Sequence, residues 1–338
     1  MTSLKNHITF IGAGSIGTAL GNILAENQSG DILLHSVETQ VVDAIRDHHV
    51  NTKYFPTLHL HPELKATCDD HLLESSDVLF LAIPSVVMMD YLKKIRKFIP
   101  DDALLVNLAK GFGAEQKTII QCLKEEFPNP VCTLKGPSFA REIINRMPTG
   151  FTLGYRAQES GKSTPDHVAR IKTMFKGTNI HLDFTTDIEG VEILSILKNM
   201  YAVILGIADA QFNSANLRFL LLTKAFREMR RVLLYFNGRE DTLFNYCGYG
   251  DFALTSLNDL SRNRTLGLLI GKGFFTEHVS HELVLEGKTA VNIFYSEISK
   301  KMVVEEHFPI VAELYRIFSS KYDISGFVER ILNLPEPD

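Results

Sequence analysis

The sequence predicts an α/β protein, with a doubly wound, largely parallel sheet in residues 1–187 followed by an all-helical domain in residues 188–338. Three observations carry that expectation. Short apolar runs alternate with helix-length amphipathic runs as far as Thr186, after which only helical periodicity continues. A glycine-rich turn follows the first apolar run directly. The 338 residues also exceed the size at which one core usually stops growing, and a 45% hydrophobic fraction fills two.

Ile8-Thr9-Phe10-Ile11 reads as a buried strand, and Thr18 to Ala25 as the helix after it. Between them stands Gly12-Ala13-Gly14-Ser15-Ile16-Gly17, a GxGxxG fingerprint in its strand-turn-helix setting. Gly12 makes the tight turn, Gly14 lets backbone approach a pyrophosphate, and Gly17 lets helix pack on strand. The helix N-terminus then faces the phosphates. The first half is therefore expected to be a Rossmann-like dinucleotide-binding domain. Asp31-Ile32-Leu33-Leu34-His35 is the second strand, ending near Ser36, Val37 and Glu38. Glu38 lies about 20 residues past the fingerprint, where an acidic side chain binds ribose hydroxyls and repels a 2′-phosphate. No arginine accompanies it, so NAD is the expected cofactor with NADP possible. The alternatives are that Glu38 is a solvated loop charge and that Ser36 makes the sugar contact.

A helix from Gln40 to Asp47 leads into a loop holding His48, His49, His59 and His61. No carboxylate or cysteine joins these at ligand spacing, so they read as surface or loop packing and no metal is expected. Asp77–Ser85 and Ala103–Ala109 are buried strand runs whose carboxyl ends, by the rule for open parallel sheets, border the ligand crevice. They deliver Pro84 and Lys110-Gly111 to that edge. Lys110 beside a glycine is placed to meet an anion; an ordinary solvated lysine is the other reading. Val131–Leu134 is the next strand and opens into Lys135-Gly136-Pro137-Ser138-Phe139-Ala140-Arg141-Glu142. Gly150–Tyr155 and Asn179–Phe184 extend the sheet, with a helix from His167 to Phe175 between them.

The second half reads as helices at about 189–209, 216–236, 241–247, 251–258, 262–271, 275–280, 289–299 and 307–318. The first of these is apolar on nearly every side from Val191 to Ile207, the pattern of a buried helix, and Lys198 and Asn199 interrupt it. An ammonium there must find an anion, lower its pKa or stretch towards solvent. A bilayer span carrying that charge at its centre is disfavoured. Gly248-Tyr249-Gly250-Asp251 presents an aspartate at a helix start, with Thr255 one turn on, and Ser261-Arg262-Asn263-Arg264 offers Arg262 as a planar fork for phosphate. A plain cap and a surface arginine are the alternatives. Arg218, Arg227, Arg230 and Arg231 are interleaved with apolar residues at helical spacing and read as a solvated face.

The net charge of −5 and pI near 6.2 argue against a general nucleic-acid or membrane-surface binder, so an anionic ligand needs a local cationic cluster. Four separated cysteines without a CxxC pair suggest free thiols in a reducing compartment, and the chain is read as cytoplasmic.

Together, the fingerprint, Ala82-Ile83-Pro84-Ser85, Lys110-Gly111, Gly136-Pro137-Ser138-Phe139-Ala140, Leu197-Lys198-Asn199, Gly206-Ile207-Ala208-Asp209, Gly250-Asp251, Ser261-Arg262-Asn263-Arg264 and Glu286-Gly287-Lys288 resemble, in order and spacing, the bacterial-type NAD(P)-dependent glycerol-3-phosphate dehydrogenases from about residue 7 to 320. The resemblance implies reversible hydride transfer between NAD(P)H and dihydroxyacetone phosphate, giving glycerol 3-phosphate for phospholipid synthesis, by a homodimer. It implies that Lys198 is the proton donor, with Lys110 and Asp251 as its catalytic companions. It implies substrate contacts from Lys110, Gly136, Ser138, Asn199, Thr255, Arg262 and Asn263. Cofactor contacts are implied for Pro84, Lys110, Ala140, Arg262 and Glu286, beside the fingerprint and Glu38. The chain departs from the family pattern at Leu194-Ser195, which replace a glycine pair, and at Ser214-Ala215-Asn216-Leu217, which replace a glycine-rich segment. A reductase for another small phosphorylated or acidic carbonyl compound, and a nucleotide sensor with weakened catalysis, are the competing readings.

Overall fold

A computed structural model describes residues 6–157, 165–274, 281–319 and 323–333, with backbone only for 281–286. The chain divides into two compact units, Met1–Glu192 and Ile193–Asp338.

The first unit is built on eight strands: β1 (His7–Ile11), β2 (Asp31–His35), β3 (Leu64–Thr67), β4 (Val78–Leu81), β5 (Leu104–Asn107), β6 (Val131–Lys135), β7 (Thr149–Gly154) and β8 (Ile180–Thr185). They form one sheet in the order β3-β2-β1-β4-β5-β6-β7-β8. All pairs are parallel except β6 with β7. Both faces are covered, and strand alternation shows it. Ile8, Phe10, Val78, Phe80, Leu104 and Val106 enter one core with residues of α1 (Ser15–Glu26), α2 (Thr39–His48) and α6 (Asp166–Met174). Ile11, Leu79, Leu81 and Leu105 enter a second with residues of α3 (Ser85–Ile95) and α4 (Ile119–Glu126). Phe10 stacks on Phe80 across neighbouring strands with centroids 4.7 Å apart.

The expected strands are present. β3 was not anticipated, because it is a four-residue edge strand with only Leu64 buried and therefore carries no periodic signal. Short α5 (Ala140–Ile144), directly after β6 and its loop, was also unmarked by period.

The described elements from α7 onward are all helical: α7 (Ile188–Gln211), which crosses the boundary between the units, α8 (Ala215–Tyr235), α9 (Asp251–Leu257), α10 (Arg262–Gly271), α11 (His281–Ser299), α12 (Val304–His307), α13 (Pro309–Ser319) and α14 (Phe327–Asn333). By length and composition α7 could cross a membrane, but 94% of its most apolar window is buried inside the protein, the mark of a core helix. Leu194 and Ser195 both lie in that buried surface. The departure at residues 214–217 has a local reason, since Ser214 Oγ accepts from Leu217 N–H at 3.3 Å and caps α8.

Two helix expectations need correction. Residues 241–247 do not form an α-helix; a 3₁₀ turn at Glu240–Phe244 passes into a wide π turn at Tyr246–Gly250. That geometry requires glycine at 248, because a Cβ there would lie 2.1 Å from the Leu243 carbonyl oxygen. α11 begins at His281 rather than near 289. The helix expected at 275–280 lies outside the described residues.

Candidate active site

In the first unit the fingerprint loop meets each steric demand of its sequence. Gly12 has φ +113°, and a Cβ there would lie 2.7 Å from the Ala82 carbonyl oxygen, while one on Gly17 would lie 2.2 Å from Gly12 O. Around Gly14 the reverse holds: a Cβ would meet nothing within 4 Å, which is the open approach a pyrophosphate requires. The first intrahelical bond of α1 runs from Thr18 N–H to Gly14 O at 2.9 Å, so the amides of Ser15, Ile16 and Gly17 precede the ladder. Gly14 as N-cap has no side-chain cap, and no acidic residue occupies the first turn. These residues fit a dinucleotide phosphate, which would satisfy those amides and favour the positive end of the helix dipole.

Along the same carboxyl edge, Pro84 precedes α3, Lys110 follows β5, and Ala140 opens α5. Lys110 Nζ lies 3.5 Å from Gly136 O, which also accepts from Ser138 Oγ at 2.8 Å. Gly136 is required there, because a Cβ would lie 2.2 Å from Gly150 O on β7. The structure thus gathers Lys110, Gly136 and Ser138 from two loops.

What holds this edge is a buried pair that leaves no periodic mark in the sequence. Lys135, fully buried, donates to Asn107 O at 3.2 Å and to Ala109 O, and lies 3.2 Å from Glu192 Oε1. Glu192, on the first turns of α7, also accepts from both Asn107 Nδ2 contacts at 3.0 Å and from Thr133 Oγ1. At the end of β2, where the sequence places no arginine beside Glu38, its Oε2 lies 2.5 Å from Lys53 Nζ. The histidines of the intervening loop stay apart from any cluster, and no group of three potential ligands for a metal occurs among the described residues.

In the second unit Lys198 is 4% exposed and resolves the alternatives left open for it: Nζ donates to Asp251 Oδ1 at 2.6 Å and to Thr255 Oγ1 at 2.8 Å. Asp251 opens α9 directly after the π turn and is itself 1% exposed. Thr255 stands one turn further on the same face. Asn199 is half-buried beside Lys198 in the chain.

Arg262 and Asn263 occupy the first turn of α10, where Ser261 Oγ caps Arg264 N–H at 3.3 Å. Arg262 is exposed and Asn263 half-buried. Behind them Arg264 Nη2 donates to Asp209 Oδ2 at 2.7 Å, and Arg218 Nε to Asp209 Oδ1 at 2.7 Å, so the residue expected on a solvated face ties α8 to α7. α10 can sit this close only because Gly206 and Gly267 face each other. A Cβ on Gly206 would lie 2.2 Å from Arg264 O, and one on Gly267 2.1 Å from Val203 O. Glu286 belongs to α11, but its side chain lies outside the described residues.

Residues 7–161 match the model of the NAD-dependent glycerol-3-phosphate dehydrogenase N-terminus, and residues 187–329 that of its C-terminus. A protein named glycerol-3-phosphate dehydrogenase [NAD(P)+] from Methanothermobacter thermautotrophicus is 37% identical over 268 residues, 78% of this chain and 80% of that one. Its namesake from Halothermothrix orenii is 31% identical over 340 residues, 98% and 96% of the two chains. The crystal structure of glycerol-3-phosphate dehydrogenase from Coxiella burnetii superposes with a TM-score of 0.86 at 26% identity, covering 98% of this chain and all of that one. The chain belongs to the NAD-dependent glycerol-3-phosphate dehydrogenase family.

Proposed function

We propose that this protein is an NAD(P)-dependent sn-glycerol-3-phosphate dehydrogenase, interconverting dihydroxyacetone phosphate and glycerol 3-phosphate. The observation that carries the reading is the buried Lys198 ammonium, on a largely apolar helix and held by Asp251 and Thr255. When bound, the nicotinamide supplies the hydride for C2 of the ketone. Lys198 Nζ gives a proton to the carbonyl oxygen during reduction and takes it back from the hydroxyl during oxidation. Asp251 offsets part of the cost of burying the charged amine, and Thr255 fixes its direction. Arg262 and Asn263 hold the phosphate of the substrate, and Asn199 contacts its carbon end. Lys110 adds a second positive charge, with Gly136 and Ser138 shaping the loop around it. Gly12, Gly14, Ser15, Ile16 and Gly17 take the pyrophosphate, Glu38 the adenosine ribose, and Pro84, Ala140, Arg262 and Glu286 complete the cofactor contacts. We place the enzyme in the cytoplasm, as a homodimer supplying glycerol 3-phosphate for phospholipid synthesis.

The test is oxidation of NADH dependent on dihydroxyacetone phosphate, followed by NADH absorbance. Turnover with this ketone at micromolar to millimolar KM is expected. Turnover only with another carbonyl compound, or NADH binding without any turnover, would replace this reading by the related reductase or by the sensor. An Arg262→Ala variant is expected to show a large rise in KM for the ketone, and an unchanged KM would remove Arg262 from the phosphate site.

A further inference from the structure

The loop between α2 and β3 is tied into the fingerprint. Asn51, with no exposed surface, donates through Nδ2 to Ala13 O at 3.0 Å and to Thr18 Oγ1 at 2.9 Å. Its own Oδ1 accepts from Tyr54 N–H at 3.3 Å, and its carbonyl from Phe55 N–H at 2.8 Å. One buried amide therefore joins the loop both to the glycine turn and to α1, and folds the loop around itself. Two residues beyond it comes Lys53, whose Nζ lies 2.5 Å from Glu38 Oε2 and 5.4 Å from the Tyr54 ring centroid. Glu38 N–H is bonded to Ser36 Oγ at 3.1 Å, so the end of β2 is fixed from the other side as well.

An acid alone at this edge favours a ribose diol and repels a 2′-phosphate. Here acid and base arrive together. Lys53 and Glu38 retain 52% and 43% of their side-chain exposure, and a pair so open to water is weak enough to be exchanged for another partner. A ribose diol would donate to the Glu38 carboxylate and leave the pair intact. A 2′-phosphate would draw Lys53 away from Glu38, since a dianion with three oxygens is the stronger partner for an ammonium.

We propose that Lys53, held in place by Asn51, is the residue that admits the 2′-phosphate, so that the Glu38–Lys53 pair lets one ribose site accept both NADH and NADPH. The inference rests on the nucleotide-binding reading of the first unit, and binding measurements separate the two.

Fluorescence titration of the full chain with NADH and with NADPH is the experiment, applied to the native protein, Lys53→Gln and Glu38→Gln at low and raised salt. The native protein is expected to bind both, with NADPH affinity falling more steeply as salt rises. Lys53→Gln is expected to weaken NADPH about tenfold or more and to leave NADH within about twofold, and Glu38→Gln to tighten NADPH while weakening NADH. If Lys53→Gln leaves both affinities unchanged or weakens both alike, Lys53 does not discriminate and the proposal fails alone. If the native protein binds neither reduced nucleotide, the nucleotide-binding reading fails and takes this proposal with it. A native protein that binds NADH but not NADPH overturns the proposal too.

Discussion

At the scale of a residue, the proposed chemistry turns on how an ammonium is held at 4% exposure. Burial disfavours the charged amine, and the Asp251 carboxylate 2.6 Å away favours it. Replacing Lys198 by alanine is expected to lower kcat for the ketone by about 10³-fold or more, the upper range for one proton donor. NADH affinity, read by fluorescence titration, should stay within about twofold. Persisting turnover within about tenfold of native would remove Lys198 from proton transfer. Asp251→Asn tests the opposing pull. With the carboxylate gone, the amine loses an interaction that favours its charged form. In the proposed mechanism reduction needs the protonated amine, so the alkaline limb of the kcat profile should move to lower pH. A limb that stays in place would mean that the carboxylate does not govern the proton.

At the scale of an element, the start of α7 depends on a buried ion pair that no helical wheel reveals. Lys135 closes β6 and Glu192 sits on α7, and between them they collect Asn107 and Ala109 from the end of β5 and Thr133 from β6 itself. Lys198 follows six residues later, about 9 Å of helical rise further on. Lys135→Met strands a carboxylate without its cation and is expected to destabilise the fold by about 3–5 kcal/mol in urea unfolding. Lys135→Met combined with Glu192→Gln should lose clearly less than the two single changes added, with a coupling above about 1 kcal/mol. Strict additivity would show that the hydrogen bonds of Glu192, and not its charge pairing, fix the helix. This pair also marks where sequence reading stops. β1, β4 and β5 were legible because burial on both faces makes them short continuous apolar runs, and α7 because it is apolar all round. Such patterns report how much of an element is covered. They do not report partners: Lys53 with Glu38, Arg264 with Asp209 and Lys135 with Glu192 join residues on different elements, brought together only by the closing of loops. Lys198 and Asp251 were singled out by charge in an apolar run and by a glycine-flanked helix start. Their 2.6 Å contact across 53 positions was not in that pattern.

At the scale of the whole molecule, the pH dependence of stability follows from groups whose pKa differs between the folded and unfolded chain. Glu228 on α8 is the strongest case. It has no exposed surface and accepts from Tyr201 Oη at 3.0 Å and from the amides of Ile310 and Val311 at 2.9 and 2.8 Å, capping α13. Burial pushes its carboxyl up from 4.5 to about 7; the two amides, Arg231 at 3.8 Å and the Tyr201 hydroxyl pull the other way and only partly offset it. A carboxyl raised in the folded state holds its proton there when the unfolded chain has released it. Its contribution to stability is therefore complete below about pH 4.5 and is lost as pH rises through about 7. The interval corresponds to about 3 kcal/mol. His35 acts in the opposite sense, since burial lowers its pKa and stability is lost as pH falls through the ordinary histidine range. Comparison with Glu228→Gln separates the two, because both proteins keep His35 and its effect cancels in the difference. Unfolding free energies in urea at pH 5 and pH 8 should show the native protein gaining about 3 kcal/mol on the variant at the lower pH. A difference that is the same at both values would mean that Glu228 stays ionised in the folded protein, with the α13 amides and Arg231 enough to hold a buried anion.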